Sequence, residues 1–201
     1  MDYIELNLLE MLDTYGEEKL EAVLSRFMCP QNIDVENFIQ TKTKAIEFAK
    51  QRIAMTYLIF SNSEPPELVG YFTLANKFIS ITGNALSKAL QKRIKKFSQY
   101  DEELDRYLVS MPLIAQLGRN FNPSLSSSIP GQELLSIACN KVREAQFIIG
   151  GKSVYIECAS NPKLYTFYSA SQFVQFGQRE CDTGEISESP VLVQMLKYFR
   201  D

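Results

Sequence analysis

Tyr168 is the side chain in this sequence with the clearest chemical use. It closes the run Asn161-Pro162-Lys163-Leu164-Tyr165-Thr166-Phe167-Tyr168, which reads as a helix opening directly behind an apolar strand at Ser153 to Cys158. Asn161 sets a polar cap at the start of that helix, close to the sheet. Further along that helix comes a phenol, which can protonate a leaving group or donate a hydrogen bond to it. Glu157, next to the end of the strand, is the leading candidate for a general base. Alternation sets Tyr155 and Glu157 on one face of that strand and Val154, Ile156 and Cys158 on the other. Each residue also has a plain structural use: Asn161 as a cap alone, Tyr168 as a core aromatic, Glu157 as a solvent-facing strand end.

The chain has no histidine. Ser/His/Asp and Cys/His catalysis, histidine metal motifs and histidine pH switches are therefore excluded. Cys29, Cys139, Cys158 and Cys181 are far apart and form no CxxC pair. Reduced thiols without a metal are the expectation, with Cys158 in the core. Twenty-four acidic against 21 basic residues give a net charge of -3, which argues against nonspecific nucleic-acid binding by the whole surface. A local basic patch stays open. At 201 residues and 45% hydrophobic composition, the chain can bury a sizeable core as one domain. It lacks an apolar run of membrane-spanning length and a signal-peptide pattern at its acidic start, so a cytoplasmic protein away from the membrane is expected.

The elements that must position Tyr168 follow from periodicity. Residues 4 to 26 predict two short helices broken at Gly16, an N-terminal helical extension over residues 1–30 ahead of a domain at 31–201. Asp34 is the expected cap of a helix running to about Gln51. Ala54 to Phe60 and Glu67 to Asn76 predict an antiparallel hairpin. Over about 77–107, Leu86, Leu90, Ile94 and Phe97 recur at helical spacing among Lys88, Lys92, Arg93, Lys95 and Lys96, which predicts an inserted basic amphipathic helix. Its lysines are either a solvated face or, at Lys92, Arg93, Lys95 and Lys96, a seat for an acidic substrate or RNA. Val109 to Phe121 suits a central strand, and Asn122 to Gly131 a loop. Gln132 to Ile148 is the next helix, with Leu134, Leu135, Ala138, Val142, Ala145 and Ile149 on one face and Gly150-Gly151 at its end. Ser153 to Cys158 then completes a parallel crossover. A strand at Phe173 to Gly177, a polar loop through Ser189 and a strand at Val191 to Phe199 finish an α/β (α+β) order.

From about Asp34 onward, and most specifically between Leu113 and Phe173, the chain resembles the GNAT superfamily of acetyl-CoA-dependent N-acyltransferases. The resemblance implies a central mixed twisted β-sheet flanked by helices, with the N-terminal extension and the basic insertion as additions. In that family the strand matched by Leu113 to Arg119 leads into a phosphate-binding loop. Counting back from Leu134-Leu135 sets Gly131 on the last glycine of the loop pattern, Ile129 on the earlier glycine and Ser126 on the Arg/Gln position. Residues 122 to 128 lengthen the loop. Asn161, Phe167 and Tyr168 match the family's Asn and Phe-Tyr, and Phe173 matches the Phe of a Gly-Phe pair whose Gly is Gln172 here.

The resemblance implies acetyl-CoA as co-substrate and no metal. Leu117, Gly118, Arg119, Ser126, Ile129, Gly131, Gln132, Asn161, Phe167 and Tyr168 are its implied cofactor residues. Backbone N–H groups in the loop would receive pyrophosphate oxygens. A neutral primary amine, not identified by the sequence, would attack the acetyl carbonyl while a backbone donor near Leu117 holds the developing oxyanion. Tyr168 would protonate the leaving sulfur or stabilise it, and Glu157 would serve as base, directly or through water, unless the amine arrives deprotonated. The competing expectation is a noncatalytic GNAT-like interaction or nucleic-acid-binding protein that uses the basic insertion. Exposed helices leave a homodimer open.

Overall fold

The structure is a computed structural model describing residues 3–181 and 190–200. Most of the expected polar loop ending at Ser189 lies outside the described residues. The chain divides into two compact units, residues 1–75 with 115–138 and residues 76–114 with 139–201.

The first unit contains β1 (Tyr3–Asn7), α1 (Leu8–Tyr15), α2 (Glu17–Leu24), α3 (Ile33–Gln40), α4 (Ala45–Lys50) and β2 (Met55–Ser61). The start of β3 (Leu68–Thr82), the end of β5 (Arg106–Arg119) and the start of α6 (Gly131–Ile149) complete it. Its strands run in the order β1-β2-β3-β5. The predicted hairpin is β2 and β3, paired antiparallel from Met55↔Leu74 to Phe60↔Leu68.

Two expectations for this unit need correction. The N-terminal extension is not wholly helical, because Tyr3–Asn7 pairs antiparallel with β2, from Tyr3↔Ser61 to Asn7↔Tyr57. Five residues are too few for alternation to stand out from the helical spacing that follows, and the partner lies some fifty residues away. The expected break at Gly16 is present, at φ +80°, where a glycine carries no steric cost. The second correction concerns α3. Its cap is Asn32, not Asp34, since the Asn32 side chain accepts from the backbone N–H of Asp34 (3.1 Å) and Val35 (3.2 Å). The helix does not continue to Gln51. Thr41 turns extended, and α4 starts afresh with Ala45, Ile46 and Ala49 buried.

The core of this unit is aromatic around a glycine. The rings of Phe27 and Tyr71 meet edge to face at 5.1 Å, Phe38 stacks on Tyr71 at 6.4 Å, and the Tyr71 hydroxyl donates to the Val35 carbonyl at 2.5 Å. Gly118, in β5, leaves the space these groups fill.

The second unit holds the rest of β3 and β5, α5 (Lys88–Ile94), β4 (Gln99–Asp101), β6 (Ser153–Ala159), α7 (Pro162–Ala170), β7 (Val174–Glu180) and β8 (Val191–Tyr198). Its strands run β3-β5-β6-β8-β7, with β4 on β5. β5 and β6 are parallel, through Leu113↔Tyr155 and Ile114↔Ile156, as expected for strands joined by a helical crossover. β8 pairs antiparallel with both β6 and β7, so the sheet is mixed.

The predicted insertion is strand at its start and helical only in its middle. β3 runs on to Thr82, with Ile79 and Ile81 buried while Phe78, Ser80 and Thr82 are exposed, a period of two. The helix itself spans only Lys88–Ile94, burying Ile94, while Leu86 is buried ahead of it and Phe97 is exposed. On α6 the expected face is buried at Leu134, Leu135, Ala138 and Val142 but stops there, and Ala145 and Ile149 are exposed. Gly150 and Gly151, at φ +85° and +106°, end the helix. Phe173 precedes β7 instead of opening it. Among the described residues no helix is long and apolar enough to cross a membrane.

Candidate functional site

In the second unit, α7 opens as its sequence predicts. The Asn161 side chain accepts from the Lys163 N–H at 2.9 Å, and Pro162 occupies the first turn, where its missing N–H is not needed. The helix ends in a Schellman motif: the Phe173 N–H reaches the Tyr168 carbonyl (3.1 Å) and the Gln172 N–H reaches that of Ser169 (2.9 Å). The hydrophobic contact that accompanies this motif joins Tyr168 to Phe173, whose rings meet edge to face at 5.8 Å, and Phe167 adds a second edge contact at 4.9 Å. Tyr168 is thereby fixed from both sides of the helix end. Burial pushes its phenol well above the ordinary range, with the Cys158 and Cys139 thiols adding to the shift, so the hydroxyl keeps its proton at neutral pH.

The same motif explains why a glycine is favoured before Phe173. Gln172 has φ +68°, the left-handed conformation of the residue just past a helix. A side chain there costs roughly 1–2 kcal/mol. Gln172→Gly is therefore expected to raise stability by about 0.5–1 kcal/mol, since the added freedom of glycine in the unfolded chain offsets part of the relief. Denaturant unfolding checks it, and the Tyr168 contacts remain as they are.

Glu157 faces away from Tyr168. Its Oε2 accepts from Arg179 Nε (2.8 Å) and lies 2.7 Å from Arg179 Nη2, and its Oε1 accepts from Gln194 Nε2 (2.8 Å). Tyr155 shares this face and packs on Phe176. Cys158, one residue on, is buried on the other face, beside Tyr168, and its thiol is pushed up to about 11 by desolvation. The strand's alternation thus separates the two candidate catalytic groups. Arg179 and Gln194 could not be found from sequence spacing, because β8 slots between β6 and β7 only in the folded sheet.

In the first unit, Leu117, Gly118 and Arg119 end β5, and the loop to α6 follows. It is built by side chains instead of glycines. Asn120 Oδ1 accepts from the Met28 N–H (2.9 Å) and the Asn122 N–H (3.0 Å), while its Nδ2 donates to the Leu68 carbonyl (2.8 Å). Asn122 Nδ2 donates to the Arg26 carbonyl, and its Oδ1 accepts from Ser124. Ile129 is fully buried, next to Gly70 and Leu134 around the space a Gly70 side chain would need. It has no left-handed φ, so isoleucine is tolerated at the matched glycine position. Ser126 is exposed and bonded to Glu67. The Pro130 carbonyl accepts from Glu133 and Leu134, which starts α6 at Gly131 and Gln132. Arg119 stacks its guanidinium over Phe121 at 5.0 Å, and its Nε is buried with no hydrogen-bond partner among the described residues.

The second unit also carries an unpaired basic group. Among the described residues, Lys92, Arg93, Lys95 and Lys96 form no ion pair. Arg93 lies over the Tyr198 ring at 5.3 Å, Lys95 over Tyr100 at 5.8 Å, and Arg143 from α6 over Phe199 at 4.5 Å. Cations without ion-pair partners among the described residues suit a polyanion. Among the described residues no group of three metal-ligating side chains is placed to hold an ion.

No protein-family model matches the chain, and none of the curated proteins does. Solved structures do. AtaT complexed with acetyl-methionyl-tRNAfMet is similar over 96% of this chain and 94% of its own, at 22% identity and a TM-score of 0.62. A tyrosine-to-phenylalanine mutant of KacT is similar over 97% of this chain and 95% of its own, at 17% identity and a TM-score of 0.61. A tyrosine-to-phenylalanine mutant of the AtaT toxin, bound to the C-terminus of the antitoxin AtaR and acetyl-CoA, is similar over 98% of this chain and 94% of its own, at 17% identity and a TM-score of 0.59. These likenesses together with the mixed sheet, its parallel crossover and the flanking helices establish that the chain has the GNAT fold.

Proposed function

We propose that this protein is an acetyl-CoA-dependent N-acetyltransferase whose acceptor is a primary amine carried on an RNA. The observation that carries the reading is the likeness, over nearly the whole of both chains, to AtaT complexed with acetyl-methionyl-tRNAfMet. The acetyl-CoA-bound AtaT mutant supports the donor, and the cations around Arg93 support an RNA-borne acceptor.

In this reading the amine nitrogen attacks the acetyl carbonyl, the C–N bond forms, and the electron pair moves to oxygen. A backbone donor near Leu117 steadies that oxygen. Collapse breaks the C–S bond and releases a thiolate. A phenol is intrinsically a weaker acid than a thiol by about 1.5 pKa units, and burial widens the gap at Tyr168. The Tyr168 O–H therefore acts chiefly as a hydrogen-bond donor to the sulfur as its charge develops. The proton lost by the amine balances the one the thiolate takes up.

The base is the remaining role. Both Glu157 oxygens are already engaged, by Arg179 and by Gln194, on the strand face turned away from Tyr168. An α-amino group, with an ordinary pKa of about 8, is partly neutral at physiological pH and needs little help. Side-chain amines near 10.4 need far more. Water is the base that fits an α-amine acceptor.

The test is transfer of labelled acetyl from acetyl-CoA to aminoacyl-tRNA, with uncharged tRNA and free amines as controls. Acetyl on the aminoacyl group, absent with uncharged tRNA, is the expected result. Joint neutralisation of Lys92, Arg93, Lys95 and Lys96 should then raise KM for the RNA substrate and leave kcat nearly unchanged. Acetyl-CoA binding without release of CoA to any amine would instead favour a noncatalytic interaction protein.

A further inference from the structure

Glu67 stands just before β3 with its backbone pinned to β2. The Ser61 N–H donates to the Glu67 carbonyl (2.9 Å), and the Glu67 N–H donates to Ser61 Oγ (3.0 Å). Its carboxylate reaches the loop that leads to α6. Oε2 accepts from the Ser126 N–H (3.1 Å), the Ser127 N–H (2.9 Å) and Ser126 Oγ (2.9 Å), while Oε1 accepts from the Ser126 N–H at 3.0 Å. Two consecutive backbone N–H groups and a hydroxyl converging on one oxygen form an anion nest.

The rest of the loop does not depend on this carboxylate. Asn120 and Asn122 tie its start to Leu68, Met28 and Arg26, Ile129 buries its end, and the Tyr3 hydroxyl donates to the Ser128 carbonyl at 3.2 Å. Removing the Glu67 carboxylate would leave three donors aimed at one point in an anchored loop. Arg119, whose Nε has no hydrogen-bond partner among the described residues, adds a cation to the same unit. Ser126 also occupies a position that the sequence match assigns to the phosphate loop.

We propose that the Ser126–Ser127 nest seats a phosphoryl oxygen of the acetyl donor and that Glu67 is a built-in competitor that must leave it, setting donor affinity. The proposal rests on the acetyl-CoA reading above. One nest cannot hold two anions at hydrogen-bond distance, so each binding event breaks the contacts of Glu67 and brings a phosphate towards a displaced carboxylate. The bonds from Ser126 and Ser127 hold the Glu67 carboxyl below its usual range, the direction expected when an anion is bound by these donors.

The experiment is calorimetric titration of the full chain and its Glu67→Ala and Glu67→Gln variants with CoA and, separately, with inorganic pyrophosphate. Glu67→Ala should bind CoA about fivefold more tightly than the parent, the order expected for losing a partly exposed charge-assisted contact. Glu67→Gln, which keeps an acceptor without the charge, should fall between, and it decides the matter if the alanine variant does not fold. Equal or weaker CoA binding by a folded variant overturns the competitor role and leaves the acetyl-CoA reading intact. If neither parent nor variant binds CoA, the acetyl-CoA reading fails, and pyrophosphate separates the two ideas: tighter binding by Glu67→Ala upholds the nest, and no binding overturns it as well.

Discussion

Tyr168→Phe is expected to lower kcat for acetyl transfer by about 100- to 1,000-fold, the usual contribution of a positioned acid or hydrogen-bond donor. The Kd for acetyl-CoA should stay within about threefold, because the hydroxyl acts on charge that develops on sulfur only in the transition state. The fold should tolerate the change. Tyr168 is held by ring contacts with Phe167 and Phe173 and by the backbone of the helix end, and phenylalanine keeps all of these. Steady-state CoA release and calorimetry with acetyl-CoA measure the two quantities. Unchanged kcat would remove the phenol from the mechanism. The pH profile gives a second check. Burial raises the phenol's pKa above its ordinary value of about 10, so its protonated form is the one present throughout the neutral range. Wild-type activity should therefore show no loss from Tyr168 ionisation below about pH 10.

Gly118→Ala is expected to be the most destabilising single-methyl addition in the first unit. A Cβ there would meet a Val35 methyl, the Tyr71 ring at 2.9 Å and the Phe27 ring at 3.1 Å. None of these can yield easily. Phe27 and Tyr71 brace each other edge to face, and the Tyr71 hydroxyl is bonded to the Val35 carbonyl. Overpacking of this kind costs about 1–3 kcal/mol, and the upper end applies where two braced rings and a branched side chain surround the site. For a chain of this length that corresponds to a fall in Tm of roughly 5–10 °C, readable by thermal unfolding. A double variant, Gly118→Ala with Val35→Ala, should lose less than the sum of the two single changes, because the smaller side chain vacates the clashing position. Strict additivity would show that the strain lies elsewhere.

Much of the route to Tyr168 was legible in the residues themselves. Asn161-Pro162 announces a helix start by local chemistry alone, Gly150-Gly151 a helix end, and the apolar run at Ser153 to Cys158 a buried parallel strand. These signals act within a few residues, so no tertiary partner is needed to read them. The helical spacing around Leu134 and Val142 was equally local. It misled near Ala145 and Ile149, which are exposed, because the length of helix that the sheet covers is a property of the sheet. Over residues 77–82 the competition went the other way. Period-two burial at Ile79 and Ile81 extends β3 through a stretch read as part of a helix, since pairing within the sheet outweighs weak local preference.

The sequence by itself determined the chemical inventory: no histidine, a capped helix ending in a phenol, a lone acidic candidate on the preceding strand, and a basic stretch near Lys92. Only the tertiary structure decided how that inventory is used. Glu157 is committed to Arg179 and Gln194 because β8 lies between β6 and β7, an order that brings together residues 22 and 37 positions apart. Gln172 takes a left-handed turn because the helix end that fixes Tyr168 requires one. Glu67 meets Ser126 from 59 positions away. The reason is the same in each case: caps, breaks and periodicity are short-range and written in neighbouring residues, whereas hydrogen-bond partners in a sheet and its loops are chosen by strand order, which no local spacing encodes.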